Sequence, residues 1–317
     1  MKLFSRFVSF LYSKQTNAII LKVLLLLAIL LVFAIYQRKY NAPRHTEGFT
    51  QNEKYSLKRN DAVYDSFYAG IYDYLHKTEK RCPYELRKIV ETTQPDKETS
   101  MILDVGCGTG CMVDALREAG YRAVGIDKSA AMVDAAERKH PAASVRKCDA
   151  SDSMEFERES FTHVLCLNQT IYEFADKIAF LRNCYHWLVP GGYLIVHVVD
   201  PVRFDPVVPV GKPAYLEKPL EQATERITDT SIDFKDFKYK SAYDFSNVDR
   251  AGVVVHTETF TDKETGHIRE NERTIQYESE KDILEKVRFC RFLPQGKFDM
   301  KEYNGDANQS VYIFEKL

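Results

Sequence analysis

The chain has 317 residues, with 44 Lys and Arg against 46 Asp and Glu and a formal net charge of −2. This balance leaves no electrostatic footprint for nucleic acid, and seven cysteines, an odd number, argue against a disulfide framework. No low-complexity segment or internal repeat stands out, and the length suits an anchor followed by one α/β domain.

After a short N-terminal segment, residues 1–17, Ala18 to Tyr36 is apolar except for Lys22. As a helix this stretch spans roughly 28 Å, about the hydrocarbon thickness of a bilayer. Lys22 lies within one turn of its start and can snorkel. Arg38 and Lys39 follow directly and no small-x-small cleavage pattern is seen, so a retained transmembrane helix over 18–36 is expected rather than a signal peptide. Lys2, Arg6 and Lys14 before the span nearly tie with Arg38, Lys39 and Arg44 after it, so charge alone does not orient it. Residues 37–60 are polar and charged and read as a tether to a domain over 61–317.

Residues 64–73, Tyr-Asp-Ser-Phe-Tyr-Ala-Gly-Ile-Tyr-Asp, read as a helix whose aromatics also suit a plain core stripe. Met101 to Val105 is apolar enough for a central strand and runs into Gly106, Gly108 and Gly110. Residues without a Cβ let the backbone turn tightly and approach a ligand. A helix follows over 111–119, with Met112, Val113 and Leu116 on one face and Gly120 as its stop. A second strand, 123–127, ends in Asp127; Ser129 caps a helix over 130–139 that turns Ala131, Met132 and Ala135 inward. Val145 to Cys148 is a third strand, followed by Asp149 and Ala150, and residues 161–167 a fourth, followed by Asn168 to Tyr172.

A helix over about 176–188, with Ile178, Leu181, Tyr185 and Leu188 on one face, stops at Pro190. Gly191 and Gly192 supply positive φ for a reversal into a fifth strand, 193–199. Residues 200–230 are dotted with prolines and read as irregular. Ile232–Phe245, Val253–Phe260 and Arg273–Tyr277 alternate as an antiparallel sheet, with a hairpin turn over 262–266, so that about 200–278 is an insertion. Ser279 to Val287 is a capped helix, and Lys297–Tyr303 and Ser310–Phe314 are the last two strands.

The Gly-x-Gly-x-Gly after Asp104 is tighter than a dinucleotide fingerprint, and Cys111 stands where that fingerprint needs its last small residue. With the acid at 127, the phrase Leu-Val-Pro-Gly-Gly-Tyr-Leu-Ile-Val at 188–196 and the Tyr64–Asp73 helix, it resembles class I S-adenosylmethionine-dependent methyltransferases with a methyltransferase domain of type 11/25. The membrane-anchored start also looks like methyltransferases of large DNA viruses of algae and protists. The resemblance implies an α/β fold of three αβα layers around a Rossmann-like seven-stranded sheet, with the antiparallel insertion after strand five on the acceptor side, where it would cover the acceptor pocket, and the N-terminal transmembrane helix added. It implies S-adenosyl-L-methionine as cofactor. Asp127 would accept the ribose hydroxyls, with Ser129 rather than Asp127 as the helix cap. Asp149 and the neighbouring Ala150 would meet the adenine. Tyr64, Tyr68, Asp104, Gly106, Cys107 and Gly108 join the cofactor set, as do Gly110, Lys128, Met132 and Asn168.

Asn168, Tyr172 and His197, at the ends of strands four and five, are the candidates for an acceptor pocket, with packing as the alternative for each. No general base stands out. No Cys/His set has zinc spacing, and His163, His186 and His197 are lone histidines that suit structural roles. The expected function is methyl transfer to a small-molecule or lipid-like acceptor at a membrane. A non-catalytic cofactor-binding scaffold is the alternative, and an oxidoreductase is disfavoured by the glycine spacing. The sequon at Asn168 falls at the expected cofactor pocket, where a glycan would block binding, so the domain is expected on the cytosolic side.

Overall fold

The computed structural model describes residue 27 and residues 29–32, 53–152, 154–211, 226–248 and 252–317. The chain divides into two compact units, residues 1–46 and 47–317, and the second is described here. Most of the expected membrane span lies outside the described residues; Leu27 and residues 29–32 are helical. Among the described residues no helix is long and apolar enough to cross a membrane.

The second unit begins with β1 (Tyr55–Arg59), α1 (Ser66–His76) and α2 (Thr78–Thr93). An alternating region follows: β2 (Met101–Val105), α3 (Cys111–Glu118), β3 (Arg122–Asp127), α4 (Ala130–Lys139), β4 (Val145–Lys147), β5 (Phe161–Cys166), α5 (Lys177–Trp187) and β6 (Leu188–Val199). Then come β7 (Asp229–Asp233), β8 (Phe237–Asn247), β9 (Val253–Asp262) and β10 (Ile268–Gln276). The chain closes with α6 (Glu280–Phe289), β11 (Phe292–Met300), α7 (Lys301–Asn304) and β12 (Asp306–Lys316).

Seven strands form one sheet in the order β11-β12-β6-β5-β2-β3-β4, as expected. The five from β6 to β4 are parallel, and β12 and β11 return antiparallel. A parallel sheet is covered on both faces, so its strands read as continuous apolar runs. Leu103, Val164 and Val196 pack beneath Phe180, Cys184 and Trp187 of α5. Ile102, Leu165 and Ile195 face the other way, against Met112 and Leu116 of α3 and Ile89 of α2. Burying each such side chain is worth roughly 1.5–3 kcal/mol. Asp65, Ser129 and Asp176 cap α1, α4 and α5 by accepting a backbone N–H three residues on.

The other five described strands form a second sheet, β1-β10-β9-β8-β7. Its edge corrects the tether expectation: Tyr55 to Arg59 pairs in parallel with Ile268 to Glu272. The charges that made this segment look like a linker are those tolerated on an edge strand. Helix α1 lies between the two layers, with Tyr68, Ala69 and Leu75 packed among Met132 and Ala135 of α4 and Tyr239 and Phe260 of the second sheet.

Other local expectations also shift. Ile232–Phe245 is two strands, because the chain turns where Phe234 N–H donates to the Phe237 carbonyl at 3.0 Å. Residues 301–303 are helical, not extended, and Gly305 ends that turn at φ +82°. The buried face of α5 centres on Phe180, Cys184 and Trp187, with Ile178 and Tyr185 only partly buried, because the bulky Trp187 takes the sheet. The fifth strand of the parallel region, β6, starts at Leu188 and takes in both glycines; only Gly191 has positive φ, and Gly192 is needed because a Cβ there would stand 2.9 Å from the Thr162 carbonyl oxygen.

Candidate active site

The order of the large sheet reverses between β2 and β5, and ligands of open α/β sheets bind at the carboxyl ends of strands at such a point. The glycine loop leaves β2 there. The N–H groups of Gly106 and Cys107 both donate to the Ile126 carbonyl, at 2.8 and 3.0 Å, which folds the loop back over β3. Gly106 has φ +68°, and a Cβ on it would lie 2.6 Å from Thr170 Cγ2. Only glycine fits this bend without strain.

Asp127, at the end of β3, holds the loop from the other side. Its Oδ2 accepts the Gly108 N–H and its Oδ1 the Ser129 N–H, each at 2.9 Å. Burial raises its pKa, against the lowering pull of those two N–H groups. Lys128 pairs with Asp61 at 2.6 Å.

These groups line a cavity of ≈ 370 Å³, in the range of small-molecule sites. Gly106, Gly108, Asp127, Lys128 and Met132 line it, together with Asp149 and Ala150. Asn168 also lines it, in the left-handed region at φ +48°, and its Nδ2 donates to Tyr72 OH at 2.7 Å. Tyr64 is part of the wall too.

Four expected cofactor residues are not in the wall. Tyr68 is fully buried and donates its O–H to Glu258 Oε1 at 3.2 Å. Asp104 is buried beneath the loop, where burial and then Glu85 push its carboxyl up to about 8 against the pull of Arg81. Cys107 turns its sulfur under the sheet, within 2.8 Å of where a Gly125 Cβ would be. Gly110 abuts α4, where a Cβ would meet Ala136 Cβ at 3.0 Å. These four shape the loop and its support; the side chains and Cα positions that line the cavity are others.

The three acceptor-pocket candidates divide. Asn168, Tyr172 and His197 all line the cavity. Tyr172 spends its hydroxyl on the backbone, donating to the Val199 carbonyl at 3.3 Å and accepting the Val199 N–H at 3.1 Å. His197 is buried, burial pushes it down to about 3, and among the described residues neither ring nitrogen makes a hydrogen bond of ordinary geometry. It is neutral and a poor proton acceptor.

The insertion was expected on the acceptor side, but apart from Tyr64 the residues of the opposite wall were not singled out in the sequence. Tyr64 OH donates to Glu173 Oε1 at 3.0 Å and accepts from Arg273 Nη1 at 2.7 Å. Arg273 Nη2 reaches His256 Nδ1 at 2.7 Å, and His256 Nε2 lies 2.8 Å from Ser241 Oγ. Guanidinium can only donate, so Nδ1 accepts and the ring proton sits on Nε2. Burial, aided by Arg273, holds His256 well below the usual histidine range. Tyr239 OH donates to Glu258 Oε1 at 2.7 Å. At the other end Tyr72 stands over His76, ring centres 4.4 Å apart, beside the buried Arg81. His256 and Glu258 are spaced by two on β9, as Arg269, Asn271 and Arg273 are on β10; that period was the available signal.

All seven cysteines are free thiols. Residues 103–196 match the model of the methyltransferase domain family. Over 107 residues the chain is 34% identical to the cypemycin N-terminal methyltransferase of Streptomyces sp, covering 32% of this chain and 43% of that protein. Over 103 residues it is 33% identical to a ubiquinone biosynthesis O-methyltransferase of Bradyrhizobium sp. (strain ORS 278), covering 31% and 40%. The chain thus spans less than half the length of these two relatives. A crystal structure of an S-adenosylmethionine-dependent methyltransferase from Clostridium acetobutylicum ATCC 824 superimposes with a TM-score of 0.58 at 17% identity, over 78% of this chain and 97% of that one. The described unit therefore has the fold of S-adenosylmethionine-dependent methyltransferases, and residues 103–196 match the methyltransferase domain model.

Proposed function

We propose that this chain transfers a methyl group from S-adenosylmethionine to a small-molecule acceptor, and does so at a membrane surface. The observation that carries the reading is one cavity with two unlike walls. The glycine loop and Asp127 form one, and the polar face of the inserted sheet forms the other. A scaffold that only bound a nucleoside would have no use for the second wall.

The cofactor fits the first wall. Gly106 and Gly108 let it approach the backbone, Asp127 would hold its ribose, and Asp149 with Ala150 would flank its base. Tyr72, Asn168 and the buried Arg81 stand where its amino-acid end would be held. When bound it supplies a methyl on a cationic sulfur. The residues around it then act mainly by positioning the acceptor lone pair in line and excluding water. The cavity histidines 76, 197 and 256 are all held neutral by burial, so none is a strong base. An acceptor that arrives as the free nucleophile needs none.

The apolar run 18–36 is the reason to put the reaction at a membrane, where a lipid-like acceptor would be within reach. The free thiols and the position of Asn168 in the cavity wall favour the cytosolic face.

Calorimetric titration of the full chain with S-adenosylhomocysteine and with NAD tests the cofactor. The homocysteine product is expected to bind and NAD not to; the reverse, or no binding of either, overturns the reading. Carbonate extraction of membranes tests the anchor, with the full chain expected in the pellet.

A further inference from the structure

Arg273 is the least satisfied cation of the second wall. Its side chain is 12% exposed and lines the cavity from β10. A guanidinium carries five N–H donors. Nη1 meets Tyr64 OH at 2.7 Å and Glu173 Oε1 at 3.4 Å, and Nη2 meets His256 Nδ1 at 2.7 Å. Among the described residues at most three donors are used, and Nε has no hydrogen-bond partner there.

Glu173 and Glu258 both favour the charge of Arg273, but neither holds it with a short bond. Its two short contacts are to neutral groups, a phenol and an imidazole. Among the described residues Glu173 is the one carboxylate it bonds, at the long end of the range and with a third of its side chain exposed. Glu258 is occupied elsewhere: Oε1 takes the O–H groups of Tyr239 and Tyr68, and Oε2 faces Asn271 Nδ2 at 3.5 Å. A shielded cation whose short bonds go to neutral groups and which keeps spare donors favours an incoming oxyanion, which it can grip with two parallel N–H bonds. An ammonium in the same place would meet a like charge.

The surroundings suit an apolar body. Tyr243, Tyr277, Phe204 and Ile275 line the cavity around this arginine. The rings of Phe204 and Tyr277 are 5.2 Å apart.

We propose that Arg273 docks an anionic oxygen headgroup, carboxylate or phosphate, on an acceptor whose apolar or aromatic body rests on Tyr243, Tyr277 and Phe204. The proposal rests on the reading of this cavity as a joint cofactor and acceptor site. It makes Arg273 a specificity residue and not a group that takes part in methyl transfer.

The test uses the full chain, loaded with S-adenosylhomocysteine, and four probes that share a ring: benzoate, phenyl phosphate, benzyl alcohol and benzylamine. Binding is read by ligand-observed NMR. Benzoate or phenyl phosphate is expected to bind at least tenfold more tightly than the alcohol or the amine, and their ratio tells carboxylate from phosphate. Arg273→Gln should erase that preference, and Arg273→Lys, which keeps the charge but not the fork, should restore part of it. Retention of S-adenosylhomocysteine affinity within twofold shows that both variants are folded. Equal binding of benzylamine and benzoate, or an unchanged preference in Arg273→Gln, overturns the proposal. So does loss of the homocysteine product alone, which would make Arg273 a cofactor residue. Should that product fail to bind the unaltered chain, the cofactor reading falls, and the same four probes without it still decide the role of Arg273.

Discussion

The carboxylate of Asp127 accepts the backbone N–H of Gly108 at 2.9 Å, tying the end of β3 to the middle of the glycine loop. The same side chain therefore shapes the loop and faces the cavity. Its other oxygen holds the Ser129 N–H at the start of α4. One residue thus couples loop geometry to the group that would meet a ribose.

Replacing Asp127 should weaken S-adenosylhomocysteine binding more than it weakens the fold. Asp127→Ala removes two charge-assisted bonds in the protein and those to the ligand. Affinity is expected to fall at least tenfold, about 1.4 kcal/mol, in line with the worth of hydrogen bonds to a charged group. Asp127→Asn should fall between, since its amide nitrogen must point one donor at another, either Gly108 N–H or Ser129 N–H. Calorimetry on the three proteins checks the order; equal affinities would remove the ribose assignment.

Gly106 gives a test of the loop itself. Gly106→Ala puts a Cβ 2.6 Å from Thr170 Cγ2 at a φ of +68°. The left-handed conformation alone costs about 1–2 kcal/mol for a residue with a Cβ. The urea midpoint should drop and cofactor affinity should fall with it. Adding Thr170→Ser removes the colliding methyl, so the double variant should recover part of the loss but not the backbone strain. No recovery at all would mean that the clash is not what the loop avoids.

Tyr72 separates a covering role from a bonding role. Its ring stands 3.7 Å from where a Gly108 Cβ would be, and its hydroxyl takes the Asn168 Nδ2 donor. Tyr72→Phe keeps the ring and loses one hydrogen bond, worth ~0.5–1.5 kcal/mol. Tyr72→Ala opens the loop to water. The expectation is a change in S-adenosylhomocysteine affinity of about threefold for Phe and more than about tenfold for Ala. If the two variants match, the hydroxyl and not the ring is what counts.

The parallel sheet was legible because burial on both faces forces continuous apolar runs, as in Met101–Val105 and Tyr193–Val199. The glycine loop was legible because positive φ leaves few residue choices. The polar residues of the second wall were not. On β9 the buried residues are Val254, His256, Glu258 and Phe260, and on β10 Arg269 and Asn271 are buried. An ordinary two-faced sheet turns such polar residues to water, so alternation alone shows a sheet and does not single out which polar residues face a cavity. Here the sheet covers a cavity, and its polar side is the one turned inward. Edge strand β1 was missed for a related reason: its register is supplied by β10, far away in sequence, and its own five residues carry two charges.

The buried titratable groups predict an optimum of stability near neutrality. Glu85 is pushed up to about 7 by burial, which outweighs its attraction to Arg81, and Asp104 is pushed up to about 8. Both acids are ionised in the unfolded chain above about pH 4.3. From there upward the folded state keeps protons that the unfolded state has lost, so rising pH favours unfolding by up to about 1.4 kcal/mol per unit per group, until each folded pKa is passed. Histidines act in the opposite direction. Burial lowers His76 and His197 to about 3 and His163 to about 4, and holds His256 well below its usual range. Their contribution is complete above about pH 6.5 and is lost as pH falls below it, because the unfolded chain takes up protons that the folded one refuses. Above about pH 6.5 only the two acids act, and stability should decline toward pH 8; below it the four histidines outweigh them. Urea denaturation from pH 5 to 9 should give a maximum near 6.5. Asp104→Asn should flatten the alkaline limb, and Glu85→Gln should steepen the acid limb, where Glu85 opposes the histidines, while changing the alkaline limb only below about pH 7. A stability that climbs from pH 6.5 to 8 in the unaltered chain would mean that Glu85 and Asp104 are ionised in the folded state, with Arg81 strong enough to hold both.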